Sequence, residues 1–88
     1  MKIKEGFVLR RVLDEAIVIA SGEASKNFHG MIKLNDSAAD IWTWISEGFS
    51  EFEIAEKLSD KYELDSEKAK ADVKNMISQM SDNGFLEI

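Results

Sequence analysis

The hydrophobic pattern of the chain changes period at Asn35, and this change constrains the fold more than any other feature. Before Asn35, apolar, β-branched and aromatic residues come in short runs, namely Phe7–Val12, Ala16–Ala20 and Met31–Leu34. Short runs of this composition predict strands. The connection Leu13–Glu15 is short enough for a hairpin, so we expect three strands in an antiparallel meander.

After Asn35 the apolar residues recur with the period of a helix, as Ala38, Ile41, Trp42 and Ile45 do. Capping residues, among them an N-terminal capping box, mark where three successive helices begin and end. The predicted helices run from Asn35 or Asp36 to Gly48, from Ser50 to Tyr62, and from Asp65 to near Gly84.

Strands followed by helices predict an α+β fold, a three-stranded antiparallel sheet followed by three helices that cover one face. The last residues, Phe85–Ile88, are apolar enough to pack back on the core or to pair as a strand. A three-stranded sheet has two edges, and an exposed edge accepts another strand unless something blocks it. The edge of the third strand, Gly30–Leu34, is therefore a candidate binding feature.

Composition narrows the function classes. A chain of 88 residues fits a single domain spanning residues 1–88. The absence of cysteine excludes disulfides, thiol nucleophiles and iron–sulfur ligation. Seventeen acidic against eleven basic residues give a net charge of −6, which disfavours nucleic-acid backbones. No apolar run approaches the length of a membrane span or signal sequence, so we expect a cytoplasmic protein without membrane contact.

Catalytic and metal-binding residues are not predicted. The carboxylates of Glu51, Glu53 and Glu56 lie on a predicted polar helix face, where solvation explains them better than an acid–base pair does. His29 has no second histidine or acidic residue at ligand spacing. We therefore expect a protein that is not an enzyme and has no cofactor or metal of its own.

The sequence leaves two other functional hypotheses open. Ser37 follows Asp36, as the modified serine of acyl and peptidyl carrier proteins follows an aspartate. The β-rich first third of the chain does not suit a helical carrier, and helix capping also accounts for a serine at this position.

A helix-turn-helix across Ile54–Ile77 is typical of a winged-helix DNA-binding protein. Its last helix carries Lys68, Lys70 and Lys74, accompanied by acidic residues. DNA binding is kept as the alternative function.

Four stretches of the chain carry a resemblance to a known family. They are Val8–Arg11 with Ala16–Ala20, Phe28–Trp42, Glu53–Leu58 with Lys61–Tyr62, and Ala71–Val73 with Leu86. The most specific motif among them is Leu-Asn-x-x-Ala-x-x-Ile-Trp at Leu34–Trp42. Together they resemble the PqqD family, the pyrroloquinoline quinone (PQQ) biosynthesis protein D group, also known as recognition elements for ribosomally made and modified peptides (RiPPs).

The resemblance implies a winged-helix-like fold and a peptide chaperone. Family members bind the leader segment of a precursor peptide as a further strand beside the third strand, in a groove closed by the third helix. A modifying enzyme, often a radical S-adenosylmethionine (SAM) protein, then acts on the rest of the precursor. PQQ itself is one of several products that such pathways make.

The expected peptide-binding residues fall on the third strand and the third helix. The strand offers the backbone groups of Met31, Ile32, Lys33 and Leu34. On the helix, Val73 and Ile77, with Met76 and Met80, form an apolar floor or simply part of the core. Lys70 and Lys74 pair with acidic leader residues or lie on a solvated face. An edge that accepts a leader also accepts a second copy, so a strand-swapped homodimer is a further expectation.

Overall fold

The computed structural model describes residues 1–22 and 31–87. Its elements confirm the α+β class, with three antiparallel strands followed by three helices and a further small sheet. In chain order they are β1 (Lys2–Ile3), β2 (Phe7–Val12), β3 (Glu15–Ala20), β4 (Met31–Leu34), α1 (Asp36–Ser46), α2 (Glu51–Tyr62), α3 (Ser66–Asp82) and β5 (Leu86–Glu87).

The main sheet has the order β2-β3-β4, with both neighbours antiparallel to β3. Val18 faces Leu9 on one side and Ile32 on the other, and all three residues belong to or pack against the core. Because side chains alternate along a strand, the residues between them lie on the opposite face of the sheet. The sheet therefore has an inner face against the helices and an outer face away from the core.

The β2–β3 hairpin is tighter than the sequence predicts. Glu15 already pairs with Val12, so only Leu13 and Asp14 form the turn. Leu13 has a positive φ of 58°, although it is not a glycine. Its side chain is 96 % exposed, so packing does not hold the residue in this conformation. Two-residue hairpin turns require this backbone conformation, and leucine gives no sequence signal for it.

The helix starts agree closely with the capping signals. The side chain of Asn35 accepts a hydrogen bond from the Ala38 amide at 2.9 Å, so Asn35 rather than Asp36 caps α1. The capping box of α2 is complete, with Ser50 and Glu53 bonding each other's backbone amides. Asp65 is the cap of α3 rather than its first residue.

A second sheet, formed by β1 and β5, joins the two ends of the described chain. Ile3 pairs with Leu86, and the Lys4 amide donates to the Phe85 carbonyl at 2.8 Å. The Phe85 ring is buried and lies 5.5 Å from the Trp42 ring. Both alternatives for the last residues are therefore correct, because Leu86–Glu87 pairs as a strand and Phe85 packs into the core. The partner strand β1 was not predicted.

The core draws on every helix and on the central strand. Its fully buried large side chains are Val18, Ile45, Ile54, Leu58, Val73 and Met80. Trp42 is also buried, as its place on the apolar stripe predicts, whereas Trp44 is half-buried against the core. Within the described ranges, no helix is long and apolar enough to cross a membrane.

Candidate functional site

The outer edge of β4 is the candidate functional site. One edge of β4 pairs with β3, and no strand among residues 1–22 and 31–87 pairs with the other. Along the strand, Met31 and Lys33 are exposed while Ile32 and Leu34 are half-buried against the core. The strand is thus anchored by its inner side chains and leaves backbone groups accessible at its edge. Gly30, which the sequence also assigned to this edge, lies outside the described residues.

Half of the backbone groups of β4 face the open edge. In an antiparallel pair, both the N–H and the C=O of a given residue point to the same side, and consecutive residues alternate. Either Met31 and Lys33 or Ile32 and Leu34 therefore direct their amides and carbonyls outward. A strand that docks here forms main-chain hydrogen bonds with two residues and places its own side chains on both faces of the sheet.

The end of β4 runs directly into α1 and is fixed by that junction. Asn35 is the only residue between the two elements, and its side chain accepts from the Ala38 amide and from the Ser37 hydroxyl at 3.1 Å. A recess of about 390 Å³ lies beside this junction. It is lined by Asn35, Asp36, Ser37, Tyr62, Leu64 and Asp72.

An electrostatic cluster at Asp40 ties α1 to α2 behind this recess. Its carboxylate accepts from the Tyr62 hydroxyl at 2.5 Å and lies 2.8 Å from the Lys61 ammonium. Partial burial raises the pKa of Asp40, but the Lys61 and Tyr62 hydrogen bonds and the Arg11 charge together leave that pKa below its usual value. Burial and the Asp40 carboxylate raise the pKa of Tyr62 to about 12, so the phenol is a neutral donor at physiological pH.

The predicted α3 residues do not share one surface. Val73 is completely buried in the core. Ile77 is half-buried and lines a recess of about 520 Å³ with residues of β1 and β5. Lys70 lines a separate recess of about 340 Å³ between α2 and α3, and its ammonium lies 3.9 Å from Glu67. Lys74 is exposed.

The side of α3 that adjoins the end of β4 carries Asp72, which the sequence analysis did not single out. Residues two apart on a helix are rotated by roughly 200°, so Asp72 and Lys70 lie on opposite flanks of α3. Asp72 borders the recess at the β4–α1 junction, and Lys68 pairs with it at 3.3 Å. Helical periodicity separates these two flanks, but it does not tell which flank turns toward the sheet.

The carrier-protein hypothesis finds no support in these surroundings. Ser37 donates its hydroxyl to the Asn35 cap, and the sheet excludes an all-helical carrier fold. His29 lies outside the described residues. Across the ranges that the structure describes, no group of three histidine or acidic side chains could hold a metal ion.

Comparison with protein-family models decides the family. The model for "Coenzyme PQQ synthesis protein D (PqqD)" matches residues 15–86. The chain belongs to the PqqD family. The PqqD family is one of non-catalytic peptide-binding domains, which confirms the prediction that this member is not an enzyme. A comparison with curated proteins finds no match.

Two solved structures share the fold of this PqqD-family chain. TbiB1, in complex with the TbiA(beta) leader peptide, superposes with a TM-score of 0.81 at 21 % identity, covering 99 % of this chain and 95 % of TbiB1. A lasso peptide synthetase B1 complexed with the leader peptide gives a TM-score of 0.78 at 19 % identity and covers 94 % and 92 %. The arrangement of strands and helices is therefore common to all three proteins.

Proposed function

We propose that this chain binds the leader segment of a ribosomally made precursor peptide and presents that peptide to a modifying enzyme. The observation that carries the proposal is the open edge of β4. Membership of a family of non-catalytic peptide-binding domains supports it. The two structures with the same fold are complexes with leader peptides, which supports a similar ligand for this chain.

Binding proceeds by strand addition in this proposal. The backbone of Met31–Leu34 supplies the hydrogen bonds, and the side chains of the leader lie alternately on the two faces of the enlarged sheet. A strand of about six residues makes a small interface, so a dissociation constant in the micromolar to sub-micromolar range is expected. The same edge can take a second copy of the chain, and a strand-swapped dimer would compete with the leader.

Selective N-methylation of the peptide tests strand addition without altering the protein. The probe is a fluorescent leader peptide from a short open reading frame encoded nearby, followed by anisotropy across several protein concentrations. Methylating an amide that faces β4 should abolish measurable binding, whereas methylating its neighbour should leave binding nearly intact. Equal affinity for every methylated peptide would exclude strand addition, and no binding by any leader would contradict the proposed function.

Substitutions on the two flanks of α3, at Asp72 and at Lys70, test where the leader lies. A leader held between β4 and α3 should bind differently to Asp72→Asn but should not respond to Lys70→Gln. The predicted contacts at Lys70, Val73, Lys74 and Ile77 would instead require Lys70→Gln and Lys74→Gln to weaken binding. Paired measurement of these variants by anisotropy therefore chooses between the flanks, independently of whether the peptide binds as a strand.

The partner proposed for the complex is a modifying enzyme of the radical SAM type, acting in the synthesis of PQQ or of another modified peptide. The chain itself is proposed to act in the cytoplasm. Mass spectrometry of the precursor after incubation with the enzyme encoded nearby tests this partnership. Modification that needs both this chain and an intact leader would support it. Modification at the same rate without the chain would contradict it.

A further inference from the structure

The outer face of the β2-β3-β4 sheet has two contrasting rows of side chains. Strand register places Val8, Ile19 and Met31 side by side, an apolar row. The next row places Ile17 between two cations. The two cations are Arg10 on β2 and Lys33 on β4. A strand added at the edge of β4 extends both rows by one residue each.

Lys33 is the only charged side chain on β4, and it stands at the open edge. Its side chain is 72 % exposed, and its ammonium lies 3.0 Å from the Glu15 carboxylate on the neighbouring strand. Exposed pairs of this kind contribute little stability and exchange partners readily. Lys33 can therefore interact with a charge on an added strand while it stays close to Glu15.

The charge of the surroundings makes this position distinctive. Residues 1–22 and 31–34 carry five basic and three acidic side chains. Residues 36–87, which form the three helices and β5, carry five basic and thirteen acidic side chains. On the strands of the main sheet, the charged side chains are Arg10, Arg11 and Lys33 against Glu15. The sheet is thus a weakly positive surface on an otherwise strongly negative domain, and it favours an acidic ligand group over a basic one.

Cross-strand pairing determines which residue of the added strand must carry that acidic group. Directly opposed residues on neighbouring strands lie on the same face, with Cβ atoms about 5 Å apart. The ligand residue opposite Lys33 therefore points to the outer face, whether the added strand runs parallel or antiparallel. Its two neighbours point to the inner face, beside Ile32 and Leu34, where apolar side chains continue the core surface.

We infer that Lys33 is a specificity-determining residue that selects a leader strand with an acidic residue opposite it, flanked on both sides by apolar residues. This inference rests on the proposed function and adds a sequence preference to it. Opposite charges across a strand pair are favourable and like charges unfavourable. Exchanging the acidic residue for a basic one should weaken binding by up to roughly fivefold for each charge contact that changes.

A charge-reversal selection tests the inference. A phage-displayed library of random nine-residue peptides is panned on the wild-type chain and on Lys33→Glu, each first shown by thermal unfolding to be folded at the panning temperature. The wild type should enrich acidic residues between two apolar ones, and Lys33→Glu should enrich lysine or arginine at that same position. Glu15→Gln, which removes the competing carboxylate, should sharpen the acidic preference.

Arg10→Glu is the matched control. It makes the same change of charge in the same row of the same face, but about 14 Å from an added strand, since strands are spaced by about 4.8 Å. This distance exceeds the Debye length of about 8 Å at physiological salt, so Arg10→Glu should select the wild-type consensus.

The outcomes separate the inference from the proposed function. One consensus shared by the wild type and Lys33→Glu, competed by a leader peptide, would overturn the role of Lys33 and leave leader binding in place. If Arg10→Glu also enriched basic residues at that position, the inference would be overturned. The charge of the whole outer face, rather than Lys33 alone, would then determine the preferred peptide. No enriched peptide on any variant would overturn both.

Discussion

The edge of β4 and the helical hairpin α2–α3 treat their backbone groups in opposite ways. In the helices, the side chains of Ser50 and Asp65 accept hydrogen bonds from amides at the two N-termini. The side chains of Leu58 and Val73 are completely buried in the core. β4 leaves one row of amides and carbonyls unpaired within the described part of the chain, and its Met31 side chain is 68 % exposed. Under the proposed function, stability therefore depends on the buried helices and peptide binding on the edge of β4.

Substitutions in the two regions should therefore have different effects. A change in the buried core of the helices should lower the free energy of unfolding and affect the edge of β4 only through global unfolding. A change at the edge of β4 should alter peptide binding while the free energy of unfolding stays nearly constant.

The largest expected effect is that of Leu58→Ala. Removing a fully buried leucine leaves a cavity and should lower the free energy of unfolding by about 2–5 kcal/mol. Urea denaturation followed by circular dichroism measures it. Met31→Ala is the control, since truncating this exposed side chain should change stability by less than about 0.5 kcal/mol. Equal losses for both variants would contradict the division between core and edge.

Asp40→Asn should have the next largest effect, because it breaks the cluster that ties α1 to α2. We expect a loss of about 1 kcal/mol at neutral pH, since Lys61 is half-exposed and its pair with Asp40 is partly screened. The pKa of Asp40 is lowered in the folded state. Its contribution to stability is therefore present above the unfolded pKa, near 3.8, and disappears as pH falls through the lower folded value.

Unfolding curves of the wild type and Asp40→Asn from neutral pH to strongly acidic pH test this. The difference in stability between the two proteins should shrink below pH 4 or so. Asp60→Asn, an exposed residue of α2, is the control and should shift stability by less than about 0.5 kcal/mol. A constant difference between wild type and Asp40→Asn at every pH would refute the electrostatic role of Asp40.

Tyr62 gives a spectroscopic prediction from the same cluster. It is the single tyrosine of the chain, so ultraviolet titration of the phenol reports on this residue alone. The folded protein should ionise with a pKa of about 12, and Asp40→Asn should bring the value back toward 10. Because this pKa is raised in the folded state, its contribution is complete below pH 10 and is lost as pH rises toward 12. Ionisation near 10 in the wild type would show that the Tyr62–Asp40 bond does not persist in solution.

Apart from the control variants, the smallest expected effect on stability is that of Lys33→Glu. The Lys33–Glu15 pair is exposed at both ends, so its loss should change the free energy of unfolding by less than about 1 kcal/mol. The same variant should change the preferred charge of the peptide residue that lies opposite position 33. A large loss of stability with no change in peptide preference would reverse the roles assigned to the edge and to the helices.

Local rules explain most of what the sequence could predict. The capping box at Ser50, the cap at Asn35 and the period of α1 depend on residues within one or two turns of each other, and the helix boundaries follow from them. The three main strands were predictable from their β-branched runs. β1 was not, because two residues carry no periodicity and Lys2–Ile3 is a strand only through its partner Leu86–Glu87.

The candidate site was predictable on its strand and less so on its helix. Met31–Leu34 was identified from a run of four residues and from the rule that an exposed edge accepts a strand. The surroundings of α3 depend on how the helix is rotated against the rest of the domain. That rotation buries Val73, places Lys70 beside α2 and turns Asp72 toward the end of β4. It is a property of tertiary packing, which helical periodicity alone does not determine.

The most direct test of the central claim is a heteronuclear NMR titration of the ¹⁵N-labelled chain with leader peptides from short open reading frames encoded nearby. The account predicts that the largest amide shifts fall on residues 31–34, with slowed hydrogen exchange at alternate residues of that strand. Shifts confined to the helices, or no shift with any leader, would contradict a strand-binding edge at β4.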